Sequence, residues 1–241
     1  EPVREGEIIG ATHGAPRNGS TFLAGAAPLA CAKFFRESCM KLYMSYTSPY
    51  ARKVRVFVRE LDLEDAVDEV PVNPLEDPDE LVSVNPVSKI PALITDDGTS
   101  VHDSRVILAY LASLKDPGDL YPAPGDPKRW AAMTLAAHID AILDAAVAWR
   151  METQRQPGER SIFWQGRWRG KIERALDALP AMLDAAPSYR RYAEMLSVIA
   201  LEYIDFRHPV LDWKRTRPEL TKLHDEWASR SSMVETQFPQ G

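Results

Sequence analysis

The chain has 241 residues, 45% hydrophobic and 27% charged, enough to bury one large core or two modest ones. Its formal net charge of -6, from 35 acidic against 29 basic side chains, gives no drive toward a phosphate backbone or an anionic bilayer, so neither nucleic acid nor membrane is expected as a partner. The two cysteines, Cys31 and Cys39, and the five scattered histidines show no metal-ligand spacing and no disulfide framework, which predicts no metal and a reducing, cytoplasmic setting.

Residues 1–39 are rich in Gly, Ala, Ser and Thr and carry no acid between Glu7 and Glu37, so no stable element is expected there. The reading is a disordered tail or a stretch upstream of a natural start at Met40, with a signal or transit segment as the alternative. The apolar run at 22–35 is broken by Pro28 and Lys33 and is too short to span a bilayer as a helix.

From residue 41 the pattern sharpens. Residues 41–45 read as a strand, and Val54, Phe57, Val58 and Leu61 then recur at helical spacing with charges between them. A second strand is predicted at 67–72, a short helix at 77–84 and a third strand at 91–95. Asp97-Gly98 supplies a tight turn into a fourth strand at 99–102. A helix with Ile107, Tyr110, Leu111 and Leu114 on one face completes the order βαβαββα over 40–115. Four prolines and two glycines in 116–127 mark a linker. Residues 128–241 show only helical faces, among them Ile139, Leu143, Ala146 and Val147, then Ile172, Leu176, Leu179 and Leu183, then Leu196, Ile199, Ala200 and Tyr203. The fold class expected is therefore α/β followed by all-α.

Three short motifs can carry chemistry. Ser48-Pro49 falls where the first strand meets the first helix: serine is a preferred N-cap, and a helix N-terminus favours an anion such as a thiolate. Lys89-Ile90-Pro91-Ala92-Leu93 places a proline just before a buried-looking strand, which a cis Ile90–Pro91 bond fits. Ile90 would then face an edge where a peptide-like ligand can add as an extra strand. Asp103-Ser104 caps the helix after the fourth strand.

In this order, with Tyr46-Thr47-Ser48-Pro49 at the opening and Tyr203-Ile204-Asp205-Phe206-Arg207 then Trp213 in the helical half, the motifs resemble those of bacterial-type glutathione S-transferases over about residues 40–238. The resemblance implies a thioredoxin-like domain followed by an all-helical domain. It makes glutathione the co-substrate and an electrophilic small molecule the second substrate of a homodimeric, detoxifying enzyme. Carried over, it makes Ser48 the catalytic hydroxyl on the glutathione sulfur. It pairs the Ile90 backbone, beside Pro91, with the cysteinyl unit, sets Lys89 near the glycyl carboxylate, and gives the γ-glutamyl end to Asp103 and Ser104. Tyr50, Trp149 and Trp164 are the expected walls of the electrophile pocket.

Ser48-Pro49-Tyr50-Ala51 also has the shape of a glutaredoxin Cys-Pro-Tyr-Cys motif, but with both thiols absent dithiol exchange is excluded there. The alternative from another class is a non-catalytic glutathione-binding or regulatory protein. The run Arg167-Trp168-Arg169-Gly170-Lys171 is read as a solvated helix face. One departure from the family stands at Arg191 and Glu194, where relatives open the core helix with a Ser or Thr and an Asp three residues on. The missing cap predicts that Arg191→Ser stabilises the fold.

Overall fold

The computed structural model describes residues 39–240, so the expectation for residues 1–38 lies outside the described residues. The first half runs β1 (Met40–Met44), α1 (Pro49–Glu60), β2 (Val67–Pro71), α2 (Asp79–Val84), β3 (Ala92–Ile94), β4 (Ser100–Val101) and α3 (Ser104–Leu114), the βαβαββα order that the periodicities predict. β1 pairs parallel with β2 and antiparallel with β3, and β4 closes the edge, giving the sheet order β2-β1-β3-β4. The second half holds α4 (Arg129–Gln154), α5 (Ile162–Ala185), α6 (Arg190–Arg207), α7 (Trp213–Thr216), α8 (Pro218–Ala228) and α9 (Ser231–Val234). The fold is a thioredoxin-like domain followed by an all-helical one.

β3 and β4 are shorter than their hydrophobic runs suggest, because the turn between them is wider than a two-residue hairpin. Gly98 N–H donates to Thr95 O at 2.9 Å and Thr95 N–H to Thr99 O at 3.0 Å, so both threonines belong to the loop. Thr95 Oγ1 also bonds Asp97, and Gly98 takes φ +83°, a conformation open to glycine.

Leu42, Met44, Phe57 and Leu93 are fully buried, each contributing roughly 1.5–3 kcal/mol of apolar transfer, and the core they start continues through Ile139, Ile199 and Trp213. The linker takes part: Tyr121 is buried with its ring 6.1 Å from Phe57 of α1 and 5.3 Å from Tyr192 of α6, both edge-on.

The charges of α1 are not on a solvent face. Arg52, Lys53 and Arg55 are all buried, and each meets a carboxylate: Glu202, Asp140 and Glu69. A buried charge without a partner is costly, so these pairs are the condition on which α1 can be enclosed from both sides. α4 is long and apolar enough to cross a bilayer by length and composition alone, with half of its apolar window buried. Its Leu135, Ile139, Ile142, Leu143 and Ala146 lie in the core, which is the pattern of a central core helix.

The capping expectation for α6 is corrected by the structure. The residue before the helix is Tyr189, at φ 60° with no side-chain cap, and Arg191 is already the second helical residue. Arg191 instead reaches Glu60 at 3.2 Å and Asp119 at 3.1 Å, while Glu194 accepts from Arg190 Nε and Trp227 Nε1. Serine at 191 is too short to make either ion pair and is misplaced to cap. Arg191→Ser is therefore expected to lower the melting temperature by about 2–4 °C, the loss of about 1 kcal/mol from a partly exposed pair, as differential scanning calorimetry would read.

Candidate active site

Ser48 is the N-cap of α1: its Oγ accepts from Ala51 N–H at 3.2 Å and, among the described residues, donates to nothing. Accepting at a cap leaves the hydroxyl proton free. Pro49 has no N–H, so the first turn is preset and its positive end lies beside the Ser48 hydroxyl. Ser48 therefore offers a ligand one O–H donor backed by the helix dipole. Cys39 is at the other end of β1, its Sγ 3.7 Å from Asp65 O.

Tyr50 points elsewhere. Its hydroxyl donates to Asp144 Oδ1 at 2.5 Å, and burial, that bond and the nearby charges of Asp144 and Asp140 push its pKa well above the ordinary phenol value. A phenol held protonated and engaged by a carboxylate cannot take over the thiol-activating role. Lys53 Nζ stands 5.5 Å from the Tyr50 ring centroid and pairs with Asp140.

Asp140 leads in turn to the start of α3. Arg105 Nε lies 4.0 Å from Asp140 Oδ2, and Arg105 holds Asp103 with Nη2 at 2.8 Å. Asp103 is the N-cap, accepting from Arg105 N–H at 2.9 Å, and Ser104 behind it is buried. The Arg105 side-chain bond, its backbone bond and the charge of Lys53 hold the Asp103 carboxyl below the usual carboxylate range. Acids and bases thus alternate over one small region, a surface suited to a ligand end that bears both an ammonium and a carboxylate.

Between Ser48 and Asp103 in the chain lies the β3 loop. Ile90–Pro91 is cis, as is His102–Asp103. Asn85 is buried and organises the loop, donating through Nδ2 to Lys89 O at 2.8 Å and receiving Ser88 N–H on its carbonyl. Ile90 precedes β3, and among the described residues its N–H donates no backbone bond. Lys89 is exposed, and among the described residues no side-chain bond ties it to the charge cluster.

The three aromatic positions separate. Tyr50 lies at the site. Trp149 does not line an open wall: it is buried, stacked on His208 at 4.2 Å with 6° between the rings. Trp164 is 44% exposed, stacks on Trp168 at 5.4 Å, and with Ala148, Met151, Glu152 and Arg155 lines an open groove of about 460 Å³. Asp144, Ala148 and Met151 follow one another at i, i+4 and i+7, so the groove continues the α4 stripe on which Tyr50 rests.

Sequence reasoning missed Lys53, Arg105, Asp140 and Asp144. A signal existed for the last two: acids four apart share one face of a helix, and between residues 139 and 147 they stand among Ala, Ile, Leu and Val alone, where a charge needs a partner from elsewhere. Among the described residues no group of His, Cys, Asp and Glu has the arrangement of a metal site.

The family model of the glutathione S-transferase N-terminal domain matches residues 47–114, from the Ser48 turn to the end of α3. The uncharacterized GST-like protein YibF of Escherichia coli (strain K12) is 30% identical over 208 residues, which is 83% of this chain and 100% of that protein. A crystal structure of a glutathione transferase family member from Pseudomonas fluorescens Pf-5 with bound glutathione is similar at 36% identity and TM-score 0.76, covering 83% of this chain and all of that one. A structure from the same source holds S-(propanoic acid)-glutathione, with 35% identity, TM-score 0.71, and 84% and 98% of the two chains covered.

Proposed function

The chain belongs to the glutathione S-transferase family, and from that premise we propose that it activates the thiol of glutathione as a thiolate for attack on an electrophilic small molecule. One observation carries this reading: Ser48 has a free O–H at the N-terminus of α1, whereas the neighbouring Tyr50 hydroxyl is engaged by Asp144. In the reaction the thiol proton leaves to solvent and a sulfur lone pair forms the carbon–sulfur bond. The leaving group departs with the electron pair of the bond that breaks.

Asp103 and Ser104 bind the γ-glutamyl end, with Lys53, Arg105 and Asp140 setting the charge around it. The Ile90 backbone beside Pro91 pairs with the cysteinyl unit, Lys89 attracts the glycyl carboxylate, and Trp164 offers an apolar face to the electrophile. Glutathione bound in similar proteins supports this assignment. The working form on this reading is a cytoplasmic homodimer that detoxifies electrophiles, since the chemistry needs glutathione reduced.

Retention on immobilised glutathione tests the site. The wild-type protein is expected to be retained and eluted by free glutathione, and Asp103→Asn to bind glutathione at least about tenfold more weakly, the loss of one charge-assisted hydrogen bond. Wild-type protein that passes through unretained, with Asp103→Asn behaving the same, would sink the reading.

A further inference from the structure

Two of the three acids near the thiol site are matched by bases. Asp140 of α4 is buried and pairs with Lys53, and Arg105 Nε lies 4.0 Å from its other oxygen. Asp103 is held by Arg105 Nη2 at 2.8 Å. Asp144, one helical turn beyond Asp140, is the exception: it is exposed, and among the described residues no lysine, arginine or histidine lies within ion-pair distance of it. Arg105 feels its charge but is already committed to Asp103 and Asp140. Two bases thus face three acids, and Asp144 is the charge left over.

The tyrosine does not account for that charge. Asp144 Oδ1 accepts from the Tyr50 hydroxyl at 2.5 Å, and Oδ2 has no hydrogen-bond partner among the described residues. A phenol needs only an acceptor, and an amide oxygen holds it as a carboxylate does. The negative charge is also unfavourable to the thiolate that the site makes, because like charges oppose one another at short range.

The position gives the charge a use. Tyr50 follows Ser48 by two residues in the first turn of α1, so its partner Asp144 stands beside the thiol site. On the other side, Ala148 and Met151 share the Asp144 face of α4 and line the groove with Trp164 and Trp168. Asp144 is about 6 Å along the helix axis from Ala148, between the sulfur and the apolar wall. An electrophile whose reacting carbon meets the sulfur and whose body lies against Trp164 passes this carboxylate. The other charges of the groove do not cancel it. Arg155 is eleven residues on, roughly 16 Å along the axis, beyond a Debye length in ordinary salt, and Glu152 Oε1 accepts from Ser161 N–H at 2.6 Å.

We propose that Asp144 is a specificity-determining residue and that the second substrate is a cationic electrophile, one that bears an ammonium group on its apolar body; this rests on the thiol-transfer reading of the site above. A cation relieves the unmatched carboxylate and the thiolate together. A neutral electrophile relieves neither, and an anionic one adds a further like charge, so selectivity comes from repulsion as well as from attraction.

The test compares para-(bromomethyl)benzyltrimethylammonium with its uncharged neopentyl isostere, in which carbon replaces the quaternary nitrogen and bromide leaves from both. Each rate is divided by its uncatalysed rate with glutathione. Wild-type protein is expected to prefer the cation by about fivefold or more in kcat/KM, and salt at about 1 M to shrink that preference. Asp144→Asn, which keeps an acceptor for Tyr50, is expected to bring the ratio toward one, and Asp144→Glu to keep part of it. A wild-type ratio near one, or a ratio unchanged in Asp144→Asn, overturns the proposal. Calorimetric titration of the wild-type protein with the two corresponding conjugates of glutathione needs neither turnover nor a variant. Tighter binding of the cationic conjugate, weakened by salt, sustains the role of Asp144 even where neither bromide reacts above background and the transferase reading fails. Equal binding of the two conjugates removes it.

Discussion

Ser48→Ala is expected to raise the pKa of the bound glutathione thiol by about one to two units, the worth of a hydrogen bond to a charged group at roughly 1.5–3 kcal/mol. A free thiol titrates near ~8.5, so a site that draws it down to ~6.5 holds about three-quarters of it as thiolate at pH ~7. Returning it to ~8.5 leaves about 3%, a loss of roughly 25-fold in turnover when chemistry limits the rate. The sign sets the pH window: the fold-deficit is largest below about pH 6, under both pKa values, where it approaches about 100-fold, shrinks as pH rises between them, and closes above ~pH 9, where both proteins carry the thiolate. Ultraviolet titration of the thiolate reads this directly. Ser48 is also the N-cap of α1, so the variant loses about 1 kcal/mol of stability as well, and Ser48→Thr, which keeps cap and hydroxyl, separates the two effects. A bound thiol whose titration is the same in Ser48→Ala and wild type would remove Ser48 from the mechanism.

Arg52→Leu is expected to be the most damaging substitution for stability, costing about 3–5 kcal/mol, or roughly 6–20 °C in melting temperature for a domain of this size. Arg52 is 1% exposed; it pairs with Glu202, donates to Met233 O at 3.3 Å and Thr236 Oγ1 at 3.4 Å, and lies 4.6 Å from the Phe238 ring centroid. Leucine keeps part of the packing and strands Glu202 in the interior. Replacing both partners, Arg52→Leu with Glu202→Met, is expected to be milder than Arg52→Leu alone, because the stranded charge is then gone. A double variant no more stable than Arg52→Leu would refute the account.

The same network carries a pH dependence. His224 Nε2 is 3.3 Å from Glu202 Oε1, and that bond raises the histidine pKa above its ordinary 6.5. A raised pKa in the folded state contributes stability that is full below the unfolded value and is lost as pH rises through the folded one. In Arg52→Leu, protonated His224 is the remaining counter-charge for Glu202, so the variant is expected to lose more stability at about pH 8 than at about pH 6.

The site was partly legible before the fold was seen, and the reason is distance along the chain. Ser48, Pro91, Asp103 and Ser104 announce themselves through local rules: a cap needs a short polar side chain, and a first helical turn tolerates proline. The resemblance and, for the tryptophans, a place in the helical half make Tyr50, Trp149 and Trp164 one expected pocket, and packing divides them. One hydroxyl went to Asp144, one indole into the core against His208, and one indole to an open groove. Arg191 shows the limit of alignment by spacing. Its place within reach of Glu60 on α1 made an ion pair of what the motif marks as a cap.

By itself the amino-acid order determined the βαβαββα succession, the helical second half, the linker and the family, because periodicity, caps, prolines and glycines act within a few residues of where they stand. The docking of α1 between the sheet and the helical half decided the rest. It buried Arg52 and Lys53 against Glu202 and Asp140, carboxylates far along the chain, and it brought the Tyr50 hydroxyl to Asp144. A side chain's charge is written in the sequence, but its desolvation and its neighbours exist only after the chain has closed on itself.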